Sequence, residues 1–234
     1  MFAFDAKTMN RVARRKGDVR TNDTLVSYVT DELYWDPKVD NAAVAVSADD
    51  GEITLRGTVG SFREKREAKR AAERVYGVTS VKNELSVVLL TEKRRDDADL
   101  RGDILRALML NSLVPESIDA KVSDGFVTLT GTADWQYQRD EAELMASNIV
   151  GTLDVLDEVA LKAKPHAADV KDRIDAAFKR NARLDADHLS VTTLNGTVTV
   201  TGPVRSWAEH DEALDAAWSA PGVTHVDDHI LVRY

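Results

Sequence analysis

The chain has 234 residues with a net charge of −9, which argues against duplex nucleic acid as a partner, because the phosphate term that dominates such binding would be repulsive. It contains no cysteine, which excludes a disulfide framework, thiolate metal sites and a cysteine nucleophile. No apolar run approaches membrane-spanning length and the N-terminus lacks the order of a secretory signal, so the expected location is cytoplasmic, or periplasmic if the N-terminus was trimmed.

Residues 1–20 form a basic tail of net charge +4. Phe2, Phe4, Met9 and Val12 alternate there with Lys7, Arg11, Arg14, Arg15, Lys16 and Arg20. This pattern fits an interfacial helix that attaches to an anionic membrane surface. Asp5 and Gly17-Asp18 interrupt it, and a loosely docked terminus is the simpler reading.

From residue 21 the apolar positions become periodic. Leu25, Val29 and Leu33 recur every four residues, a helical stripe. Val44 and Val46 alternate as in a strand, and Asp50-Gly51 is a dipeptide that tolerates positive φ in a tight hairpin. The run GEITLRG ends at Gly57 and reads as a second strand. A charged helix follows, with Ala68 and Ala72 spaced to let it approach the sheet closely. Gly77 suits a left-handed helix C-cap, and Asn83 then precedes a last strand carrying Leu85 and Val87.

The same ruler returns twice more. Leu100, Ile104 and Leu108 precede Ile118/Ala120, Asp124-Gly125, GFVTLTG ending at Gly131, Ala142/Ala146, Gly151, Asp157 and Val159/Leu161. Val170, Ile174 and Phe178 precede Leu189/Val191, Asn195-Gly196, GTVTVTG ending at Gly202, Ala213/Ala217, Gly222, Asp228 and Ile230/Val232. In every copy 20 residues separate the glycine that closes the second strand from the glycine after the helix. The prediction is an α+β protein of three tandem αββαβ modules. Each should carry a three-stranded mixed sheet with two helices on one face, the last strand parallel to the second through a right-handed crossover. Module boundaries are placed at 21–92, 96–163 and 166–234, in the polar stretches Glu92–Asp97 and Lys162–His166.

These residues resemble the BON family, the bacterial OsmY and nodulation domain. The shared pattern is helix, strand, D/N-G-x-V-x-L-x-G, helix, G-V-x-x-V and an Asn or Asp before the last strand. Copy one carries it from Asp50 to Leu85 and copy three from Asn195 to Ile230; copy two departs at Gly151-Thr152, where valine is the family residue. Tyr34-Trp35-Asp36-Pro37 and Trp135-Gln136-Tyr137-Gln138 are similar to stretches of triple-BON osmotic-stress proteins. The resemblance implies a non-enzymatic binding module linked to phospholipid membranes, envelope integrity and osmotic stress. Potassium binding in one relative class carries over only faintly, because the peptidoglycan-type module found there is missing.

Several residues are candidates for contact. Arg63, Arg66, Arg70 and Arg74 fall along one stripe of the second helix and could grip an anionic surface. With Glu67 and Glu73 interleaved, the stripe equally describes a solvated helix with i, i+4 pairs, the simpler reading. Trp35, Trp135, Trp207 and Trp218 could be exposed anchors for a membrane or partner; Trp135 and Trp207 stand where a large ring usually seals a core edge, and Trp218 is the best candidate for an exposed contact. His225 and His229 have a metal-like spacing, but on a strand four residues span roughly 13 Å, too far to share an ion, so no metal is expected. Nucleophile-elbow, P-loop, dinucleotide and zincin motifs are absent, and neither an enzyme nor a cofactor is expected.

The functional expectation is a stress-associated protein that engages a phospholipid surface or an envelope-associated partner. A soluble protein–protein scaffold or self-assembling homo-oligomer is the alternative, followed by a potassium or small-ligand sensor.

Overall fold

The computed structural model describes residues 21–89, 95–162 and 170–234. The basic tail, with Arg11, Arg14 and Arg15, and parts of both predicted boundary stretches lie outside the described residues.

Module 1 runs α1 (Asn22–Trp35), β1 (Val44–Asp49), β2 (Glu52–Val59), α2 (Phe62–Glu73) and β3 (Ser80–Val87). Module 2 runs α3 (Asp97–Leu110), β4 (Ile118–Ser123), β5 (Phe126–Ala133), α4 (Gln136–Ser147), β6 (Asp154–Asp157) and β7 (Ala160–Leu161). Module 3 runs α5 (Val170–Arg180), β8 (Ser190–Leu194), β9 (Thr197–Val204), α6 (Trp207–Trp218) and β10 (His225–Val232). In each, the first two strands pair antiparallel and the last pairs parallel with the second. In module 2 the last strand is split into β6 and β7, both paired with β5.

Three separate cores follow from three repeats. In module 1 the stripe Leu25, Val29 and Leu33 meets Ile53, Leu55, Ala68 and Ala72, all essentially buried. Modules 2 and 3 use the equivalent side chains, with Phe178 as the largest buried residue of the third. Each fully buried Leu, Ile or Val contributes about 1.5–3 kcal/mol, so this repeated stripe dictates which helix face meets the sheet. The predicted module architecture and strand directions are those observed.

The hairpins show why their sequence is restricted. Asp50, Asp124 and Asn195 all have φ between 45° and 54°, each followed by a glycine at positive φ. The first helix is tied to this turn in two modules: Asn22 Oδ1 accepts from Asp50 N at 3.1 Å, and Asp97 accepts from Asp124 N at 2.7 Å. The glycine closing the second strand is forced by space as well as by φ. At Gly57 a Cβ would lie 1.9 Å from the Ala43 carbonyl oxygen, and Gly131 and Gly202 are equally crowded.

One sequence expectation is displaced. Gly77 has positive φ, but α2 is already capped at Arg74 in an ordinary right-handed conformation. The glycine serves a further tight turn, in which Val78 N donates to Val75 O, rather than the helix C-cap. This turn carries Tyr76 and Val78, both of which contribute to the junction between modules.

Candidate functional site

The second helix of each module is anchored at its N-terminus by one side chain. Glu64 accepts from Gly60 N at 2.8 Å and from Asp40 N at 2.5 Å, which clamps the loop before β1 onto α2. Glu209 does the same in module 3 through Arg205 N and Asp185 N. Gln138 takes the place in module 2, accepting from Asp134 N and Trp135 N. Each anchor satisfies amide groups that a helix start otherwise leaves without partners.

A second tie joins this helix to the last strand, and its chemistry varies with sequence. In module 1 Asn83 donates to the Lys65 carbonyl at 2.7 Å. The equivalent strand residues are Asp157 and Asp228, and they meet Arg139 at 2.9 Å and His210 Nε2 at 2.8 Å. An amide suits a backbone acceptor; a carboxylate requires a cation or a donor. Burial opposes the charged form of His210, but Asp211 and Asp228 outweigh it and hold its pKa above the usual imidazole value.

The three second helices also bring the modules together. Arg66 of α2 reaches into module 2, where its guanidinium lies 3.3 Å from Glu143 and 3.1 Å from Ser147 Oγ. Asp140 and Asp211 occupy the position equivalent to Arg66 in α4 and α6. The carboxyl of Asp215 in α6 is pushed up by burial first, then by the charges of Asp211 and of Asp140 from module 2. Burial likewise raises the carboxyl of Glu73 in α2, partly relieved by Lys69 and reinforced by Asp211 from module 3. Modules 1 and 2 thus meet at an ion pair, whereas Asp215 and Glu73 each feel a like charge from another module.

Modules 1 and 3 have a further seam. Trp207 Nε1 and Tyr234 Oη both donate to the carbonyl oxygen of Val78, at 3.0 and 3.1 Å. The rings of Tyr76 and Tyr234 meet edge to face with centroids 4.5 Å apart. Beside this seam lies a groove of about 710 Å³, lined by Tyr76, Trp207 and Tyr234 and by Arg70, Arg74 and Arg205, with Glu73 and Asp211 at its wall.

The arginine stripe is therefore divided among different tasks. Arg66 is half-buried in the junction with module 2. Arg70 pairs with Glu67 in its own helix. Arg74 binds Asp36 at 2.7 Å and Glu32 at 2.8 Å, closing α1 against α2. Backbone donation from Lys38 and the Arg74 guanidinium hold the buried Asp36 carboxyl below its usual value. Arg63 is exposed. The expectation of an exposed Trp218 is corrected: the side chain is partly buried, packed against the module 3 core at the end of α6. Trp207 packs on that core as expected, but its N–H serves module 1.

Exposed large side chains are spread over the three modules, and four of them stand at the ends of the first helices. Tyr34 and Trp35 close α1 with 69% and 79% of their surface accessible. Met109 and Leu110 close α3 at the same two positions, with 76% and 82% accessible. Lys179 and Arg180 stand there in α5, also exposed. The available signal was a pair of large residues directly after the last member of the buried stripe, off its face. Among the described residues, no group of three or more His, Asp or Glu side chains is arranged to hold a metal ion, and no helix is long and apolar enough to cross a membrane.

The BON domain model matches residues 21–88, 96–163 and 166–234. The chain is 29% identical to Osmotically-inducible protein Y of Escherichia coli (strain K12) over 171 residues, 68% of this chain and 85% of that protein. It is 27% identical over 146 residues to an uncharacterised protein in the gshII 5' region of Anaplasma centrale, 59% of this chain and 96% of that one. Among solved structures it is similar to CdsD, a structural protein of the type III secretion system of Chlamydia trachomatis, at 15% identity, covering 89% of this chain and 92% of that one. The TM-score of that match is 0.25.

Proposed function

The chain belongs to the BON domain family, and from that premise we propose that it is a non-enzymatic, stress-associated protein that docks on an anionic phospholipid surface through the ends of its first helices. The likeness to an osmotically inducible protein supports the stress association. The observation that carries the docking is the recurrence of exposed Tyr34-Trp35 and Met109-Leu110 at one structural position in two modules. Large apolar side chains kept out of an available core gain free energy only when something else covers them. Tyr and Trp are the residues that settle at the headgroup level of a bilayer. The cationic pair Lys179-Arg180 at the third position and the basic tail add attraction to anionic lipid.

Co-sedimentation with vesicles containing phosphatidylglycerol, against neutral phosphatidylcholine vesicles, tests this. The intact chain is expected to sediment with the anionic vesicles at low salt. The double variant Trp35→Ala, Leu110→Ser should stay in the supernatant with an unchanged melting temperature. Equal behaviour of variant and parent, or no binding by either, removes the membrane reading and leaves the protein-scaffold alternative.

A further inference from the structure

We propose that the groove between modules 1 and 3 is a binding site for a small anionic ligand with a planar ring, of the nucleoside mono- or diphosphate class. This site is separate from the helix ends and does not depend on the membrane reading.

Three guanidinium groups line the groove from two modules, and each is paired with a carboxylate outside its lining. Arg74 is held by Asp36 and Glu32, Arg70 by Glu67, and Arg205 by Asp185 at 2.7 Å. These contacts use Nε and Nη2 of Arg74, Nη1 of Arg70 and Nη2 of Arg205. A guanidinium has five N–H donors. Donors on Nη1 of Arg74, on Nε and Nη2 of Arg70 and on Nε and Nη1 of Arg205 therefore make no hydrogen bond within the described residues. Pre-positioned forks with unused donors are what phosphate recognition needs, because little ordering entropy is left to lose on binding.

The aromatic side chains supply the second half of the chemistry. Tyr76, Tyr234 and Trp207 line the same space, and the edge-to-face packing of the two tyrosines fixes their ring planes. Stacking of a base on such a ring is favourable and tolerates any planar heterocycle. The volume of about 710 Å³ falls within the range of small-molecule sites, roughly 300–1,000 Å³. Glu73 and Asp211 at the wall disfavour a highly charged polyphosphate or a nucleic acid strand and limit the ligand to one or two phosphates. Since the groove draws on two modules, its ligand would bridge them and stabilise their junction.

Isothermal titration of the full chain with AMP and ADP at low salt tests this, with adenosine and inorganic phosphate as separate titrants. Saturable binding of AMP or ADP is expected, at least about tenfold tighter than either fragment alone, with a melting temperature that climbs with ligand concentration. Arg205→Ala and Tyr76→Ala, both at exposed positions, should each weaken binding at least about tenfold while the unliganded protein keeps its circular dichroism. Failure of both nucleotides to saturate at millimolar concentration overturns the proposal. So does binding unchanged in both variants, or phosphate binding as tightly as AMP.

Discussion

The indole N–H of Trp207 and the carbonyl of Val78 are 129 residues apart in sequence and 3.0 Å apart in space. That carbonyl is shared, because Tyr234 Oη donates to it as well at 3.1 Å. The turn made by Gly77 thus acts as a socket in which module 3 rests on module 1.

Sharing predicts non-additivity. Trp207→Phe and Tyr234→Phe each leave Val78 with one donor and should cost about 0.5–1 kcal/mol. The double variant leaves the carbonyl with neither and should cost more than the sum, by about 1 kcal/mol. Urea unfolding of the four proteins measures the coupling, and strict additivity would show that the two bonds act independently.

Arg66→Ala removes the ion pair with Glu143 and the bond to Ser147. Both partners are partly solvated, so the loss should not exceed about 1 kcal/mol. The larger effect should be geometric: small-angle scattering should report a bigger radius of gyration, since the junction of modules 1 and 2 loses its cation. An unchanged radius would mean that the remaining contacts suffice.

Gly57→Ala should be far more damaging than a core truncation of equal size. A methyl group there lies against the Ala43 carbonyl at 1.9 Å on a backbone with φ of 119°. A loss of about 3 kcal/mol or more is expected. The same substitution at Gly102, where nothing lies within 4 Å, should be neutral or stabilising by a few tenths, about 0.4–1 kcal/mol. Comparing the two by thermal unfolding separates crowding from helix propensity.

Stability should depend on pH with opposite signs at two sites. The pKa of His210 is raised by Asp211 and Asp228 against burial, so its contribution is complete below the unfolded value of about 6.5 and is lost as pH rises through the folded value. His210→Gln should therefore flatten the decline of melting temperature above neutrality. Asp36 is lowered by the Lys38 amide and Arg74, so its contribution is present above the ordinary carboxylate range and is lost in acid as pH falls through the folded value. Asp36→Asn should lower stability at pH 7 and blunt the acid-induced loss. Melting curves from pH 3 to pH 9 check both signs.

The module fold was legible because burial repeats in sequence as it repeats in space. Leu25, Leu100 and Val170 mark three separate cores, and Asp50, Asp124 and Asn195 mark three turns of one shape. The junctions were not legible, because they depend on residues that differ among copies. Arg66, Asp140 and Asp211 share one position but carry opposite charges, and only the assembled helices show what each one faces. Trp218 misled for another reason: a residue one position past the buried Ala217 still reaches its own module's core with part of its ring. Tyr76 lies in a turn with no periodicity to set it apart.

Because the Val78 carbonyl takes donors from Trp207 and Tyr234, repeats one and three are neighbours in space although a whole repeat lies between them in sequence. Fraying that begins in either should loosen the other's edge as well, so the two are expected to lose amide protection together.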